Sequence, residues 1–201
     1  MKDKLMIIGA GGHGRVCADI ATLAGYTEVA FLDDGAPLGG AVKGRSADAA
    51  RYFEEYDLFV AVGNAAVRHR LLAALTEQGA TVATLVHPHA SVAWDALLGV
   101  GTVVMAGAVV STGARLADGA IVNTCASVDH DCTLGTCVHV AVGAHLCGTV
   151  TVGDGTWIGA GATVINNIKI TTDCTVGAGA AVVKDITEQG TYVGVPAKRI
   201  K

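Results

Sequence analysis

The feature that most constrains this chain is a period of six residues in its second half. From Val92 to Val182 every sixth residue is Val, Leu or Ile, and sixteen positions follow this rule without a break. The residue two places before each of them is mostly small and never charged. A period of six is neither the heptad of a coiled coil nor the alternation of a single strand. It is typical of a parallel β-helix, in which short strands meet at corners and each coil buries its apolar residues against the next.

The length of the repeat predicts the size of this β-helix. The pattern resembles the left-handed hexapeptide β-helix, in which three hexads form one triangular coil. Sixteen hexads give just over five coils, which at the usual strand spacing form a prism roughly 25 Å tall. The end of such a prism is an open sheet edge that has to be covered. We expect the charged tail VVKDITEQGTYVGVPAKRIK to form this cap.

The first 86 residues have a different organisation, in which apolar strands alternate with amphipathic helices. KLMII precedes a glycine turn and a helix, EVAFL and DLFVAV are further strands, AAVRHRLLAALTEQ is a second helix, and ATVATLV is a fourth strand. Strands connected by helices form parallel sheets. We therefore predict a small α/β domain over residues 1–86, equivalent to half of a Rossmann fold. The left-handed β-helix domain then occupies residues 87–201.

A glycine-rich turn, GAGGHG, follows the first strand and matches the dinucleotide-binding pattern G-x-G-x-x-G. Acidic residues follow the second strand, as that pattern requires: Asp33 and Asp34. A dehydrogenase is one hypothesis, but a dinucleotide fold needs two mononucleotide halves and this domain holds one. The turn therefore suits a nucleotide diphosphate, whose phosphates can meet backbone N–H groups at the helix start. A plain tight turn is the alternative, although His13 favours a ligand because an imidazole can meet phosphate or sugar oxygens.

Composition and charge exclude several classes of partner. With 14 Lys and Arg against 18 Asp and Glu, the net charge is −4, and no basic run is present to bind nucleic acid or an anionic membrane. No window approaches the roughly 20 apolar residues of a membrane-spanning helix. The first residues lack the apolar core of a signal peptide, so we expect a cytoplasmic protein. The six cysteines contain no C-x-x-C pair and are expected to be free thiols.

A polar cluster, NTCASVDHDCTLG, interrupts the uncharged repeat. By the register of the hexads, Asp129, His130 and Asp131 lie at a corner, outside the core. A carboxylate beside an imidazole fixes its tautomer and raises its basicity, so His130 with Asp131 is a candidate general base. Sequence neighbours on a strand point to opposite sides, so this pairing requires the corner to bring the two side chains together. A solvated polar turn is the alternative.

Histidines and cysteines along the repeat raise a third hypothesis, a zinc site. His130, His139 and His145 lie on the predicted β-helix, and γ-class carbonic anhydrases bind zinc with three histidines on the same kind of fold. The characteristic histidine pair of that family has a different spacing from the six residues that separate His139 and His145. Neither an H-x-x-x-H nor a C-x-x-C pattern is present. We therefore predict no metal.

Several longer motifs occur in order along essentially the whole chain: GAGGHGRVCADIA, FLDD, AVGN, VNTCASVDHDCTLG, HVAVGAHLCGTVTVG and VGVPAKRI. In this order they resemble the PglD/NeuD family of hexapeptide acyltransferases. The resemblance is closest to the type that N-acetylates a UDP-linked 4-amino-4,6-dideoxy sugar on the way to bacillosamine. It implies a homotrimer, with acetyl-CoA along the outside of the β-helix between neighbouring subunits. It also implies that the N-terminal domain binds the sugar nucleotide.

The resemblance implies roles for individual residues. His130 would remove a proton from the sugar amine, and Asp131, in place of the Glu of the bacillosamine enzymes, would orient it. Asn123 would line the site, and the Gly148 N–H would face the thioester oxygen. The expected contacts to acetyl-CoA are Gly148, Ala160, Ala178 and Pro196. His139 would contact either acetyl-CoA or the sugar. The expected contacts to the sugar nucleotide are Gly11, Gly12, His13, Gly14, Arg15, Asp33, Asp34, Gly63 and Asn64; Arg15 replaces the Lys of the family, which keeps the charge but changes its geometry.

The implied chemistry requires neither a metal nor a covalent intermediate. A thioester carbonyl is electrophilic, so an amine can attack it directly if a base and a donor to the oxyanion are positioned. Cys125, Cys132 and Cys147 are possible acyl carriers, but none has an electropositive flank that would lower its pKa. The acceptor stays open between the amine of a UDP-, GDP- or dTDP-linked sugar and a hydroxyl of a sialic-acid-like sugar. The second case would make the protein an O-acetyltransferase.

Overall fold

The computed structural model describes residues 2–201, which divide into two compact units. The first unit ends at Pro88 and the second comprises His89–Lys201. This boundary lies two residues after the one drawn from the sequence. Among the described residues, every helix is too short or too polar to cross a membrane.

The first unit contains a parallel sheet with helices, which confirms the predicted α/β organisation. Its strands are β1 (Lys4–Ile8), β2 (Glu28–Leu32), β3 (Val42–Gly44), β4 (Asp57–Val60) and the short β5 (Leu85–Val86). Its helices are α1 (Gly12–Leu23), α2 (Ala65–Glu77) and a 3₁₀ helix at Ser46–Tyr52. Strands β1 to β4 pair in the order β3-β2-β1-β4, all parallel. The chain leaves β1 toward β2 and returns to β4 on the other side, so a crevice opens at the carboxyl ends of β1 and β4.

One strand prediction in this unit was correct only in part. Within ATVATLV, Val82 alone bridges in parallel to Leu58 of β4, and only Leu85–Val86 forms a strand, β5. The strand of this sheet that the sequence did not predict is β3, which is only three residues long and has no clear alternation of apolar and polar residues. The core nevertheless forms as expected around strand residues such as Met6, Leu32 and Leu58, which are fully buried.

The second unit is a β-helix of short parallel strands, and it confirms the left-handed β-helix class that the hexads predict. Sixteen two-residue strands, β6–β21, each end at one of the sixteen apolar positions. These strands are Ser91–Val92, Leu97–Leu98, Val103–Val104, Val109–Val110, Arg115–Leu116, Ile121–Val122, Ser127–Val128, Thr133–Leu134, His139–Val140, His145–Leu146, Thr151–Val152, Trp157–Ile158, Thr163–Val164, Lys169–Ile170, Thr175–Val176 and Ala181–Val182. From Val104 onward, every one of these apolar positions is buried.

The sixteen strands stack in three sheets that the chain visits in turn. Sheet I contains β6, β9, β12, β15, β18 and β21; sheet II contains β7, β10, β13, β16 and β19; sheet III contains β8, β11, β14, β17 and β20. Each residue pairs with the residue eighteen places later, as Ser127 does with His145. The tail continues sheet III with β22 (Thr191–Val193) and β23 (Lys198–Arg199), which fold back on each other and cover its end.

Each corner from residue 101 to residue 179 contains one residue in the left-handed backbone conformation. From position 101 to position 179, every sixth residue has a positive φ, and eight of these fourteen residues are glycine. The others are Cys125, Asp131, Cys137, Thr149, Asn167 and Asp173. An L-residue pays roughly 1–2 kcal/mol for this conformation, although Asn and Asp tolerate it better than most. The non-glycine corners are therefore places where a side chain is retained at a cost in stability.

Candidate active site

His130 lies at the corner that follows β12, and its imidazole pairs with the carboxylate of Asp131. The distance between His130 Nδ1 and Asp131 Oδ2 is 2.9 Å. Asp131 has a φ of 58°, and this left-handed turn brings its side chain to the same side as the ring. The Asp side chain, although shorter than Glu, therefore reaches the imidazole.

The hydrogen bond to Asp131 determines which ring nitrogen is available for proton transfer. Because Nδ1 donates to the carboxylate, Nε2 is the basic nitrogen. This hydrogen bond is the main cause that raises the pKa of His130, and the negative charge of Asp129 adds to the effect. The side chain of His130 is 52% exposed, so a ligand can approach it. An accessible imidazole of raised basicity is suited to accept a proton from an attacking group.

Gly148 lies next to His130, at the same corner one coil later. A Cβ atom placed on Gly148 would overlap the imidazole, 2.5 Å from Cε1 and closer still to Nε2. Within residues 2–201 the Gly148 N–H donates no hydrogen bond. By contrast, the N–H of Thr136, which holds the same place in its own hexad at another corner, donates to Asp154 Oδ1 at 2.7 Å. A basic nitrogen and an uncommitted backbone donor therefore lie side by side.

Asn123 and His139 form a second polar pair. Asn123 Nδ2 is 3.1 Å from His139 Nε2, and Asn123 Oδ1 accepts a hydrogen bond from Thr124 N at 2.8 Å. Trp157, the neighbour of His139 in sheet III, meets the imidazole edge-on with the ring centroids 6.5 Å apart. These contacts hold the half-buried His139 ring in one orientation.

The predicted residues of the β-helix lie on two different edges of the prism. The edge between sheets III and I carries Asn123, Ala160 and Ala178, with His139 beside it on β14. The next edge, between sheets I and II, carries His130, Asp131 and Gly148. The full width of sheet I separates the two edges, so one chain does not bring the two groups together. Pro196 is exposed in the turn between β22 and β23.

The residues of the zinc hypothesis are likewise dispersed. Among residues 2–201, no three His, Cys, Asp or Glu side chains converge in a group that could hold a metal ion. His145 lies on the outer surface of sheet I, where its Nδ1 is 2.9 Å from Ser127 Oγ. All six cysteines are free, and burial raises the pKa of Cys132, which is the opposite of what a nucleophilic thiol requires.

In the first unit, the glycine turn links β1 to α1. Gly11 is the N-cap of α1, and the first helical turn consists of Gly12, His13, Gly14 and Arg15. A Cβ atom on Gly14 would overlap the carbonyl group of Gly9, so helix and strand meet too closely for any side chain there. Gly11 and Gly12 are exposed, and no atom lies within 4 Å of a Cβ placed on either. The start of α1 therefore offers open backbone to an anion.

The imidazole of His13 is uncharged at neutral pH. Burial lowers the pKa of His13 to about 4, and the positive charge of Arg68 contributes to this change. The sequence left open whether a protonated or a neutral ring would meet a ligand. The structure favours the neutral ring, which can donate one N–H hydrogen bond to a phosphate or sugar oxygen.

Asp33 and Asp34 are both engaged by their own domain. Asp33 Oδ2 accepts from Ala10 N at 2.7 Å in the glycine turn, and its Oδ1 accepts from Gly35 N and Ala36 N. Asp34 accepts hydrogen bonds from the backbone and hydroxyl of Ser46. These backbone donors, chiefly Ala10 for Asp33 and Ser46 for Asp34, lower the pKa of each carboxyl. Both residues thus shape the loops of the candidate nucleotide site.

A cleft of about 230 Å³ opens beside these carboxylates, lined by Ile8, Leu32, Asp33, Asp34, Ser46 and Val67 among others. Gly63 and Asn64 follow β4 near this cleft and are both exposed. Asn64 is the N-cap of α2, and its Oδ1 accepts from Val67 N at 3.0 Å. The amide nitrogen of Asn64 can therefore donate a hydrogen bond to a ligand.

Sequence reasoning missed Arg45, which braces the loop after β2. Its Nη1 donates to Asp33 O at 2.6 Å and to Ala36 O at 2.7 Å. Asp48 in turn accepts from Arg45 N at 2.9 Å. No motif marks position 45, because only pairing of β3 with β2 brings it beside this loop.

Together, a half-Rossmann unit and a hexapeptide β-helix with a His–carboxylate pair at one corner define the class of β-helix acyltransferases. Residues 4–75 match the family model described as the PglD N-terminal domain. The acetyltransferase domain of PglB from Neisseria gonorrhoeae FA1090 is 41% identical, with a TM-score of 0.96 over 99% of this chain and 100% of that one. The chain therefore belongs to the PglD family of acyltransferases.

Two further solved structures hold ligands. The same PglB domain in complex with acetyl coenzyme A is 42% identical over 100% of both chains, with a TM-score of 0.94. A mutant of GDP-perosamine N-acetyl transferase from Caulobacter crescentus, in complex with CoA and GDP-perosamine, is 34% identical. Its TM-score is 0.94, over 98% of this chain and 97% of that one.

Proposed function

We propose that this protein transfers an acetyl group from acetyl-CoA to the 4-amino group of a nucleotide-linked amino-dideoxy sugar. The observation that carries the proposal is the position of His130, with Nδ1 bonded to Asp131 and its ring against Gly148. The chain is similar to an N-acetyl transferase bound to CoA and GDP-perosamine and to an acetyltransferase domain bound to acetyl-CoA. These similarities support acetyl-CoA as the donor and a nucleotide-linked amino sugar as the acceptor.

The reaction is a direct attack of the sugar amine on the thioester carbonyl. His130 Nε2 accepts a proton from the amine as the new C–N bond forms, and Asp131 stabilises the resulting imidazolium. The tetrahedral intermediate carries its negative charge on the former carbonyl oxygen, which the Gly148 N–H stabilises. The intermediate then expels the CoA thiolate, and a proton from the imidazolium returns to the sulfur. No metal and no acyl-enzyme take part in this sequence.

The first unit supplies the features that a nucleoside diphosphate requires. The start of α1 presents backbone N–H groups and a neutral His13 to the phosphates. The adjacent cleft combines apolar walls with Asp33 and Asp34, whose oxygens have remaining lone pairs for a ribose or a base. We take UDP as the nucleotide, from the resemblance to the bacillosamine enzymes, and GDP as the alternative favoured by the perosamine enzyme.

We further propose that the active enzyme is a homotrimer, because each chain carries the two halves of the site on separate edges. The outer residues of sheet I carry no Lys, Arg, Asp or Glu: Ser91, Val109, Ser127, His145, Thr163 and Ala181. Sheet II exposes Arg115 and Lys169 instead. Contact through sheet I brings the Asn123 edge of one copy to the His130 edge of another. Such head-to-tail contacts close into a ring of three when each copy is rotated by about one third of a turn relative to the next.

A cytoplasmic location is part of the same proposal. All six cysteines are free thiols, which is usual in a reducing compartment. The cytoplasm is also where acetyl-CoA and nucleotide sugars are available as substrates.

A thiol-release assay tests the proposed reaction, with UDP-, GDP- and dTDP-linked 4-amino sugars and a sialic-acid-like sugar as acceptors. We expect transfer to an amine, and His130→Ala to lower kcat by a factor of about 10² to 10⁴. His69→Ala, which removes an exposed imidazole of α2, is the matched control and should be unaffected. Loss of activity with EDTA would support the zinc hypothesis, and loss of activity in Cys125→Ala would support an acyl-enzyme. Transfer only to the hydroxyl acceptor would show that the protein is an O-acetyltransferase.

A further inference from the structure

Arg68 is a buried cation whose role the proposed reaction does not explain. It lies in the first turns of α2 and is only 1% exposed. Arg and other charged residues are rarely buried completely, because removing a charge from water is costly unless it is bound by polar groups. The partners of this guanidinium therefore indicate what it is retained for.

Two of these partners are backbone carbonyls in the loop between β4 and α2. Arg68 Nη1 donates to Val62 O at 2.7 Å and to Gly63 O at 2.9 Å. In a trans peptide the C=O and the following N–H point in opposite directions. The N–H groups of Gly63 and Asn64 therefore point away from the guanidinium, and both residues are exposed. Arg68 thus holds this loop with its carbonyls inward and two donors outward.

Arg68 also influences the glycine turn on the neighbouring strand. Its positive charge is the second cause, after burial, of the low pKa of His13 in the first turn of α1. Strands β1 and β4 are adjacent in the sheet, so the starts of α1 and α2 lie at the same edge. Both helix starts offer N–H groups to an anion.

We infer that Arg68 is a positioning residue for the diphosphate of the acceptor, acting from beneath the site through the Val62–Gly63 loop. It aims the loop N–H groups at the phosphates, and its buried positive charge adds to the favourable potential of the two helix starts. The inference rests on the proposed function only in taking a nucleoside diphosphate as the ligand. It adds a residue that has no place in the G-x-G-x-x-G pattern.

The test is calorimetric binding of UDP and GDP, with uridine and guanosine as ligands that lack the phosphates. Arg68→Met should weaken the diphosphate by about tenfold or more, equivalent to about 1.4 kcal/mol, and leave nucleoside binding within about twofold. Arg70→Met is the matched control, because it removes the same charge from an exposed position of the same helix. It should leave both affinities unchanged. Equal weakening of nucleotide and nucleoside would refute the inference, since a distorted cleft would produce that result.

Titration of His13 by NMR provides an independent readout. Arg68→Met should raise the pKa of His13, because a nearby positive charge is lost, whereas Arg70→Met should not. An unchanged His13 titration would contradict the proposed arrangement. If Arg68→Met fails to fold, Arg68→Lys decides: its shorter side chain cannot hold both carbonyls in place, so wild-type diphosphate affinity would overturn the inference. A wild-type protein that binds neither UDP nor GDP would instead refute the proposed nucleotide, UDP, and its alternative, GDP.

Discussion

Replacing Gly148 with Ala tests the catalytic corner without removing any functional group. The new methyl group would lie 2.5 Å from His130 Cε1 and closer to Nε2, whereas ordinary contacts between carbon atoms are about 3.5–4.0 Å. The imidazole therefore has to move by roughly 1 Å or more. Because the ring is half exposed, it can swing toward solvent, and doing so breaks its 2.9 Å hydrogen bond to Asp131.

The expected loss follows from that displacement. A misplacement of about 1 Å in a reacting group costs on the order of 10²-fold in rate, which is about 2.7 kcal/mol of activation free energy. Global stability should change by less than about 1 kcal/mol, because only an exposed side chain is displaced. The assay is kcat in the thiol-release reaction, together with the midpoint of urea denaturation.

A double-mutant cycle provides the control. If Gly148→Ala acts through the imidazole, it should have almost no further effect once His130 is already Ala. A kcat within about threefold of wild type would show that the ring is not held against Gly148 as described. Full additivity of the two substitutions would instead assign the effect to the Gly148 N–H and refute the steric argument.

Three further outcomes are expected. Asp131→Asn removes the main cause that raises the pKa of His130. Because the unprotonated ring is the base, the acid limb of the kcat–pH profile should move to lower pH, and the plateau value of kcat should fall. An acid limb at an unchanged pH would contradict this prediction. Asp33→Ala removes the acceptor that holds the glycine turn, so it should raise KM for the sugar nucleotide and leave KM for acetyl-CoA unchanged; equal rises would point to general misfolding. Thr149 has a φ of 63°, so Thr149→Gly should stabilise the fold by about 1 kcal/mol. Gly143 has a φ of 62° and open space around it, so Gly143→Ala should destabilise the fold by a similar amount. Denaturation midpoints that move in the opposite directions would refute the assignment of backbone strain to these corners.

The β-helix was predictable because its signal is repeated. Each hexad places one apolar residue inward, and sixteen repeats of that choice leave one register that turns all of them toward the core. The strands accordingly end at the predicted residues, from Val92 to Val182. The corner conformation has the same period, but it was not apparent from the sequence because six of its fourteen positions are not glycine. In the first unit, β3 and the 3₁₀ helix were missed, since neither has a periodic pattern of its own.

The site was predictable only as a set of candidate residues. The motif around His130 and the family resemblance selected residue types that fit acyl transfer, but sequence spacing cannot say which of them meet. Asp131 reaches His130 because its corner has a positive φ, and Gly148 meets the ring because eighteen residues make one coil. Conversely, Asn123 is nearer to His130 in sequence than Gly148 is, yet it lies on another edge.

The sequence by itself thus determined the architecture, because burial of a periodic apolar pattern depends on residue order alone. It also determined the family and the chemistry available to it. Only the tertiary structure decided how that chemistry is arranged: which nitrogen of His130 is basic, why His13 is neutral, and where the buried guanidinium of Arg68 directs the loop after β4. These properties depend on contacts between residues far apart in the chain, whose distances and burial exist only once the coils and the sheet have formed.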